Sequence, residues 1–387
     1  MRLRRSKGIY ILILFFVLML ARVFSLSALA STERNQEDMP KGFSEWVEAF
    51  PEDLAQLLPE GMDSQNSEEA GEATLELMRP ETLLSIIGEL LNVGVGDAFR
   101  LFVKLVGLLL IASVFGALRA SISSDTVSGA VHFCTTLAIF AAIIGLQAEH
   151  LERVAQYLER LSALVGAMIP VTGAVWAMGG NVTTASAGTA TLSVFLTVCE
   201  SLCAKTVIPV CGFCTAMALC NTLSPELGMR GVAGAVKKTY TFLLGMIMTV
   251  LVASLGSQTA LTAAADSTTA RTAKVIASAA IPVVGGSVGD TLRTVASGVR
   301  YLKTILGIGG IGLILLLTLP TLLSLILTRV VFLLCGGIAD LLGCEREGRL
   351  LGELGTMYGC MIAVVSMSAV MFILALWIFV KSVVAVA

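Results

Sequence analysis

From residue 101 onward this chain is a succession of apolar stretches, each about as long as a bilayer is thick. They fall at residues 101–118, 130–148, 161–178, 186–204, 207–223, 240–260, 305–328 and 357–380. At a rise of 1.5 Å per residue, about 20 apolar residues cross a hydrocarbon core of ~30 Å. A further piece at 330–343 is too short to count. Hydrophobic residues make up 56% of the chain and charged residues 14%, against about 25% charged in an ordinary soluble domain. Lipid, not water, is therefore the expected solvent. The expected fold class is all-α: a polytopic helical membrane protein of about 7–8 spans.

The ends of the chain differ in charge. Residues 1–30 hold five basic and no acidic side chains. Arg2, Arg4, Arg5 and Lys7 precede an apolar run at 9–21, and Ala28-Leu29-Ala30 offers a small-residue cleavage site, the pattern of a secretory signal peptide. The run is short for a span, which favours cleavage over a signal anchor flanked by Arg22. Residues 31–100 carry sixteen acidic side chains against four basic ones. They read as a short acidic extracytoplasmic segment, partly helical, ending in a helix from Glu81 that Gly94 and Gly96 interrupt. The expected organisation is a signal peptide at 1–30, the acidic segment at 31–100 and a polytopic membrane domain at 101–387. No cluster of Lys and Arg suggests nucleic acid. Two basic stretches, 224–239 and 266–304, both read as cytoplasmic, yet a single span at 240–260 separates them; either that span re-enters or the second stretch is an exception.

Three copies of Ile-Pro-Val-x-Gly lie in or beside these apolar runs, at 169–173, 208–212 and 281–285. Proline removes a backbone donor and kinks or breaks a helix. In lipid the freed groups are tolerated where protein or a water-filled cavity satisfies them. Some spans are therefore expected to be proline-broken or re-entrant, with Pro170, Gly173, Pro209, Gly212, Pro282 and Gly285 as candidate hinge or pore positions. The plain alternative is that proline and glycine are common in membrane helices. Glu200, between Cys199 and Ser201, is an ionisable group in a membrane-like run and a candidate pore carboxylate; its plain alternative is pairing with Lys205 near the span's end. Val288, Leu292, Val295, Val299, Leu302 and Leu306 share one helical face. Arg293 and Arg300 lie on another, making a candidate amphipathic gate or a helix simply packed on the body. Small residues at 173–191 and 307–312 permit close helix–helix approach.

Enzyme constellations are lacking. His132 and His150 lie in no metal-ligand spacing, and no phosphate-binding loop or nucleophile elbow occurs. Cys211-x-x-Cys214 has no second pair, and small polarisable packing residues are the better reading of the nine cysteines. No catalytic residue, cofactor or metal is expected, and the chain is not expected to be an enzyme.

The run DSTTARTAK (266–274), followed by AIPVVGGSVGDTLRTVASGV, Lys303 and GIGGIG, resembles the stage III sporulation protein AE family of endospore-forming bacteria. The resemblance covers nearly the whole chain, and RTAK followed by IPVVGG is its most specific part. It implies a multi-pass protein of the mother-cell membrane surrounding the forespore. It implies action with the other proteins of the stage III sporulation A operon, among them an ATPase and the ring-forming proteins AG and AH, and indirectly with the forespore stage II sporulation protein Q. Together with the apolar body, this gives an export-gate-like subunit of the mother-cell-to-forespore channel, needed for late forespore gene expression and spore formation. Two other readings stand beside it: a scaffold that anchors the ATPase and rings without forming the pore, and a stand-alone small-molecule permease.

Overall fold

A backbone in lipid must satisfy its own hydrogen bonds, and a helix does so within one segment. The computed structural model describes residues 67–381, apart from 121–124, 180–181, 200, 202, 204, 224–229 and 281–284. The described residues form long helices and no strand. In chain order these are α1 (Ser67–Leu77), α2 (Pro80–Ala120), α3 (Asp125–Met178), α4 (Val182–Cys199), α5 (Lys205–Leu223), α6 (Arg230–Ala280), α7 (Gly285–Leu341) and α8 (Glu345–Lys381). Five of them, α2, α3, α6, α7 and α8, are long and apolar enough to cross a membrane.

The centre of the bundle is the antiparallel hairpin of α7 and α8. Its turn follows from one residue. Gly343 has φ of +74°, a left-handed conformation that costs glycine nothing. Its N–H donates to the Asp340 carbonyl at 3.3 Å, and the Cys344 N–H donates to the Ala339 carbonyl at 2.8 Å. That pair of bonds is a Schellman cap, which satisfies the last carbonyls of α7 and reverses the chain. Beyond the turn the two helices approach closely: a Cβ on Gly348 would lie 2.9 Å from an Asp340 carboxylate oxygen and 3.2 Å from the Gly336 carbonyl.

Around this hairpin, α3 packs on α7 and α8, α5 and α6 on α8, and α1 and α2 on α7, while α4 bridges α3 and α6. Between helices in lipid the hydrophobic effect gives little, so packing and hydrogen bonds must hold them together. The small-residue stretches act in this way. Gly188 of α4 seats the indole of Trp176 of α3, which is buried and stacks edge-on to Phe379 at 5.1 Å. Gly173 faces Thr189 across the same interface. Gly307 seats Val380, and Gly312 seats Leu77 and Met78, so the end of α1 is bound into the core.

Several sequence expectations are corrected. The stretches 130–148 and 161–178 are one helix, α3, because the polar residues between them keep the helical period: Val154, Leu158 and Leu161 stay buried through the middle. Among the described residues five helices are long and apolar enough to cross a membrane, which does not show the seven or eight spans expected; α4 and α5 are shorter, at 18 and 19 residues. Gly94 and Gly96 do not interrupt α2, which also runs unbroken across residues 100 and 101. Pro170 and Pro209 do not break their helices. Both rings sit on exposed faces, so each costs one backbone bond without forcing the helix apart. The span at 240–260 does not re-enter: α6 continues from Arg230 to Ala280. At about 1.5 Å per residue it is roughly 77 Å long, with the two basic stretches toward opposite ends. Of the amphipathic stripe, Val299, Leu302 and Leu306 are buried. The signal peptide at 1–30 and residues 31–66 of the acidic segment lie outside the described residues.

Candidate functional site

A line of polar side chains runs along the inner face of α3. Thr136, Gln147, His150 and Tyr157 are all buried. Their spacings of eleven, three and seven residues are close to whole turns, which puts them on one face. From Thr136 to Tyr157 the helix rises about 31 Å, close to the thickness of a hydrocarbon core.

Each member meets polar groups of other helices. At one end the Thr136 hydroxyl donates to Glu347 of α8 at 3.5 Å, and Glu347 is 1% exposed. Gln147 donates from its amide nitrogen to the Thr215 hydroxyl of α5, and lies 3.3 Å from the Met357 sulfur of α8. His150 Nε2 lies 3.5 Å from the Thr328 hydroxyl of α7, and its ring meets Tyr358 edge-on at 5.4 Å. At the other end, Tyr157 Oη lies 3.2 Å from Thr318 Oγ1 and 3.4 Å from Ser368 Oγ. Beside this line Lys237 of α6 is buried and donates to Glu353 of α8, at 3.4 Å to its carbonyl and 3.5 Å to its carboxylate. The buried thiols of Cys211 and Cys360 meet across α5 and α8, with the Thr241 hydroxyl 3.8 Å from Cys360. The Arg329 guanidinium packs on Gly359, with 3.1 Å from one of its nitrogens to the Cβ position.

At the middle of this belt three buried atoms have no hydrogen-bond partner among the described residues: Gln147 Oε1, His150 Nδ1 and Tyr358 Oη. Buried polar groups are paired in the great majority of native structures, and leaving one unpaired costs about 1–3 kcal/mol. Two of the three lie within one turn of α3 and the third on α8.

The belt opens sideways. A cleft of about 920 Å³ lies between α2, α3 and α7, with His150 at its inner wall and Pro320 on the α7 side. A second, of about 290 Å³, adjoins it and shares His150, Arg153, Pro320 and Ser324.

The candidate residues read from the sequence are not brought together here. Pro170 and Gly173 lie in α3 beyond the belt, and Gly173 serves the α3–α4 contact. Pro209 and Gly212 lie on exposed faces of α5, and nothing lies within 4 Å of a Cβ placed on Gly212. Glu200 and Pro282 lie outside the described residues. Gly285 opens α7, and Arg293 and Arg300 occupy its first turns, their side chains outside the described set. The polar belt has a sequence signal of its own: Gln147, His150 and Tyr157 recur at steps of three and seven. Cys211 and Cys214 are both buried, and among the described residues no group of three His, Cys, Asp or Glu side chains is placed to hold a metal ion.

A family model described as stage III sporulation protein AE matches residues 71–383. No curated protein and no solved structure matches the chain.

Proposed function

The chain belongs to the stage III sporulation protein AE family, and from that premise we propose that it is the export-gate-like subunit of a channel between mother cell and forespore. The observation that carries this reading is the polar belt of α3. Gln147, His150 and Tyr157 also join helices, but Gln147 Oε1 and His150 Nδ1 are buried with no partner among the described residues, which helix-to-helix bonding alone does not require. A conduit needs such groups, because a solute crossing the bilayer must meet hydrogen-bonding partners along its path.

In this reading the protein sits in the mother-cell membrane around the forespore, and its partners are the operon's ATPase and the ring-forming proteins AG and AH. Stage II sporulation protein Q is reached indirectly, through the rings. The hairpin of α7 and α8 is the centre on which most of the other helices pack. The Lys237–Glu353 pair ties α6 to it. The work of transport comes from the ATPase, since this chain carries no nucleotide-binding motif.

The test is to make the belt apolar without changing its volume much. A Q147L/Y157F variant should reach normal levels in the membrane and still co-purify with the ring proteins, yet fail to support spore formation. Normal sporulation with that variant would favour the scaffold. Transport of a solute by the protein alone in vesicles would favour the stand-alone permease.

A further inference from the structure

The smaller cleft reaches the belt at His150 and Tyr157, and its other polar lining carries the charge. On the α3 side it presents His150, Arg153, Gln156 and Arg160, and on the α7 side Thr321 and Ser324. Its lining holds two arginines and no carboxylate. His150, Arg153 and Arg160 recur at steps of three and seven, so they face α7 from one side of α3. His150 is 4% exposed, and its Nδ1 has no hydrogen-bond partner among the described residues. His150 is thus a buried ring, unpartnered at Nδ1, in the inner wall of the cleft, while Arg153 and Arg160 are exposed side chains at its mouth.

The adjoining cleft has a different character. Its wall includes Leu101, Leu146, Leu323 and Leu327, while its charged rim balances three acidic groups (Glu89, Asp97, Glu149) with three basic ones (Arg100, Lys104, Arg153). A cationic, hydroxyl-bearing recess thus opens directly onto a larger trough of mixed lining, with four leucines in its wall.

We propose that the paired clefts bind a phosphoryl anion between Arg153, Arg160 and Ser324, and that its source is the headgroup of an anionic phospholipid whose acyl chain lies along Leu146, Leu323 and Leu327. Guanidinium forks match phosphate oxygens in geometry and charge, and basic recesses between membrane helices suit anionic headgroups. Arg153 also gives a hydrogen bond at 2.5 Å to Glu149, which occupies part of a side chain with five N–H donors. The leucines in the wall of the trough favour the lipid over a free anion, because a free phosphate would leave them unused.

The experiment uses the full-length protein purified in mild detergent and examined by native mass spectrometry. The probes are phosphatidylglycerol, phosphatidylcholine and inorganic phosphate. Phosphatidylglycerol should be retained preferentially, and R153Q/R160Q should cut its retention about tenfold or more, as expected for lost charge-assisted hydrogen bonds. An S324L variant, which fills the recess from the α7 side without touching the arginines, should do the same. An R349Q control, at an exposed arginine near the start of α8, should retain the lipid. Unchanged thermal unfolding of the variants in detergent without lipid separates loss of the site from loss of the fold. Displacement of the lipid by inorganic phosphate, with the same arginine dependence, would overturn the lipid assignment in favour of a free anion. Equal retention of the two lipids, or retention indifferent to both variants, would overturn the site altogether.

Discussion

Lys237 donates both to the backbone carbonyl and to the carboxylate of Glu353, so a single buried ammonium ties α6 to α8 through main chain and side chain at once. The pair lies beside the polar belt, and Lys237 has only 8% of its side chain exposed. This relationship sets the first test of the bundle.

Truncating one partner strands the other. K237M should destabilise the protein by about 2–4 kcal/mol, toward the lower end of what breaking a buried pair costs, because Glu353 retains some contact with solvent. The double variant K237M/E353L should recover much of the loss. Thermal unfolding in detergent across the four proteins of the cycle gives the coupling between them.

Helix contact through glycine predicts a sharp contrast between two positions. At Gly188 any Cβ would enter the Trp176 ring, so G188A should cost about 1–3 kcal/mol, as overpacking does. At Gly212 nothing lies within 4 Å, so G212A should be neutral or stabilising by up to ~1 kcal/mol through helix propensity. The same unfolding assay measures both.

Cys344 closes the α7–α8 turn outside the two helices. Burial, and then the charge of Glu347, push its thiol above its ordinary range. A raised pKa means less thiolate at neutral pH, and the thiolate is the reactive form. Alkylation of Cys344 in the folded protein should therefore be slower than in the unfolded chain at pH 7, and should quicken as pH rises. E347Q should speed it. Peptide mass spectrometry after a timed iodoacetamide pulse reads both effects.

Prolines on exposed helix faces should be dispensable. P170A and P209A restore a helical donor, so each should raise thermal stability or leave it unchanged and should keep sporulation intact. Loss of sporulation with P170A would return the hinge role to that residue.

The lipid-solvated, all-helical character of the chain was legible because hydropathy is a property of composition over a window. The small-residue contacts were legible too: Gly188 and Gly307 seat Trp176 and Val380, and only a glycine leaves room for that. What hydropathy could not give was continuity. The polar middle of α3 resembles a loop between two spans, and only its unbroken period of buried residues marks it as helix. Nor does a proline in sequence declare which face it occupies, and at Pro170 and Pro209 the face decides between a hinge and a bystander. The site was hidden for a related reason. Gln147, His150 and Tyr157 owe their role to hydroxyls and a thioether on α5, α7 and α8, which a reading along one helix does not bring near.

The central claim is that the inner face of α3 is wetted across the bilayer. The direct measurement is labelling by a membrane-impermeant, charged thiol reagent in a cysteine-free background, with single cysteines at Gln147, Thr215 and Ser368 and, as lipid-facing references, at Val114 and Val250. The account predicts modification at the three belt positions and protection at the two references. Protection at all five positions would contradict it.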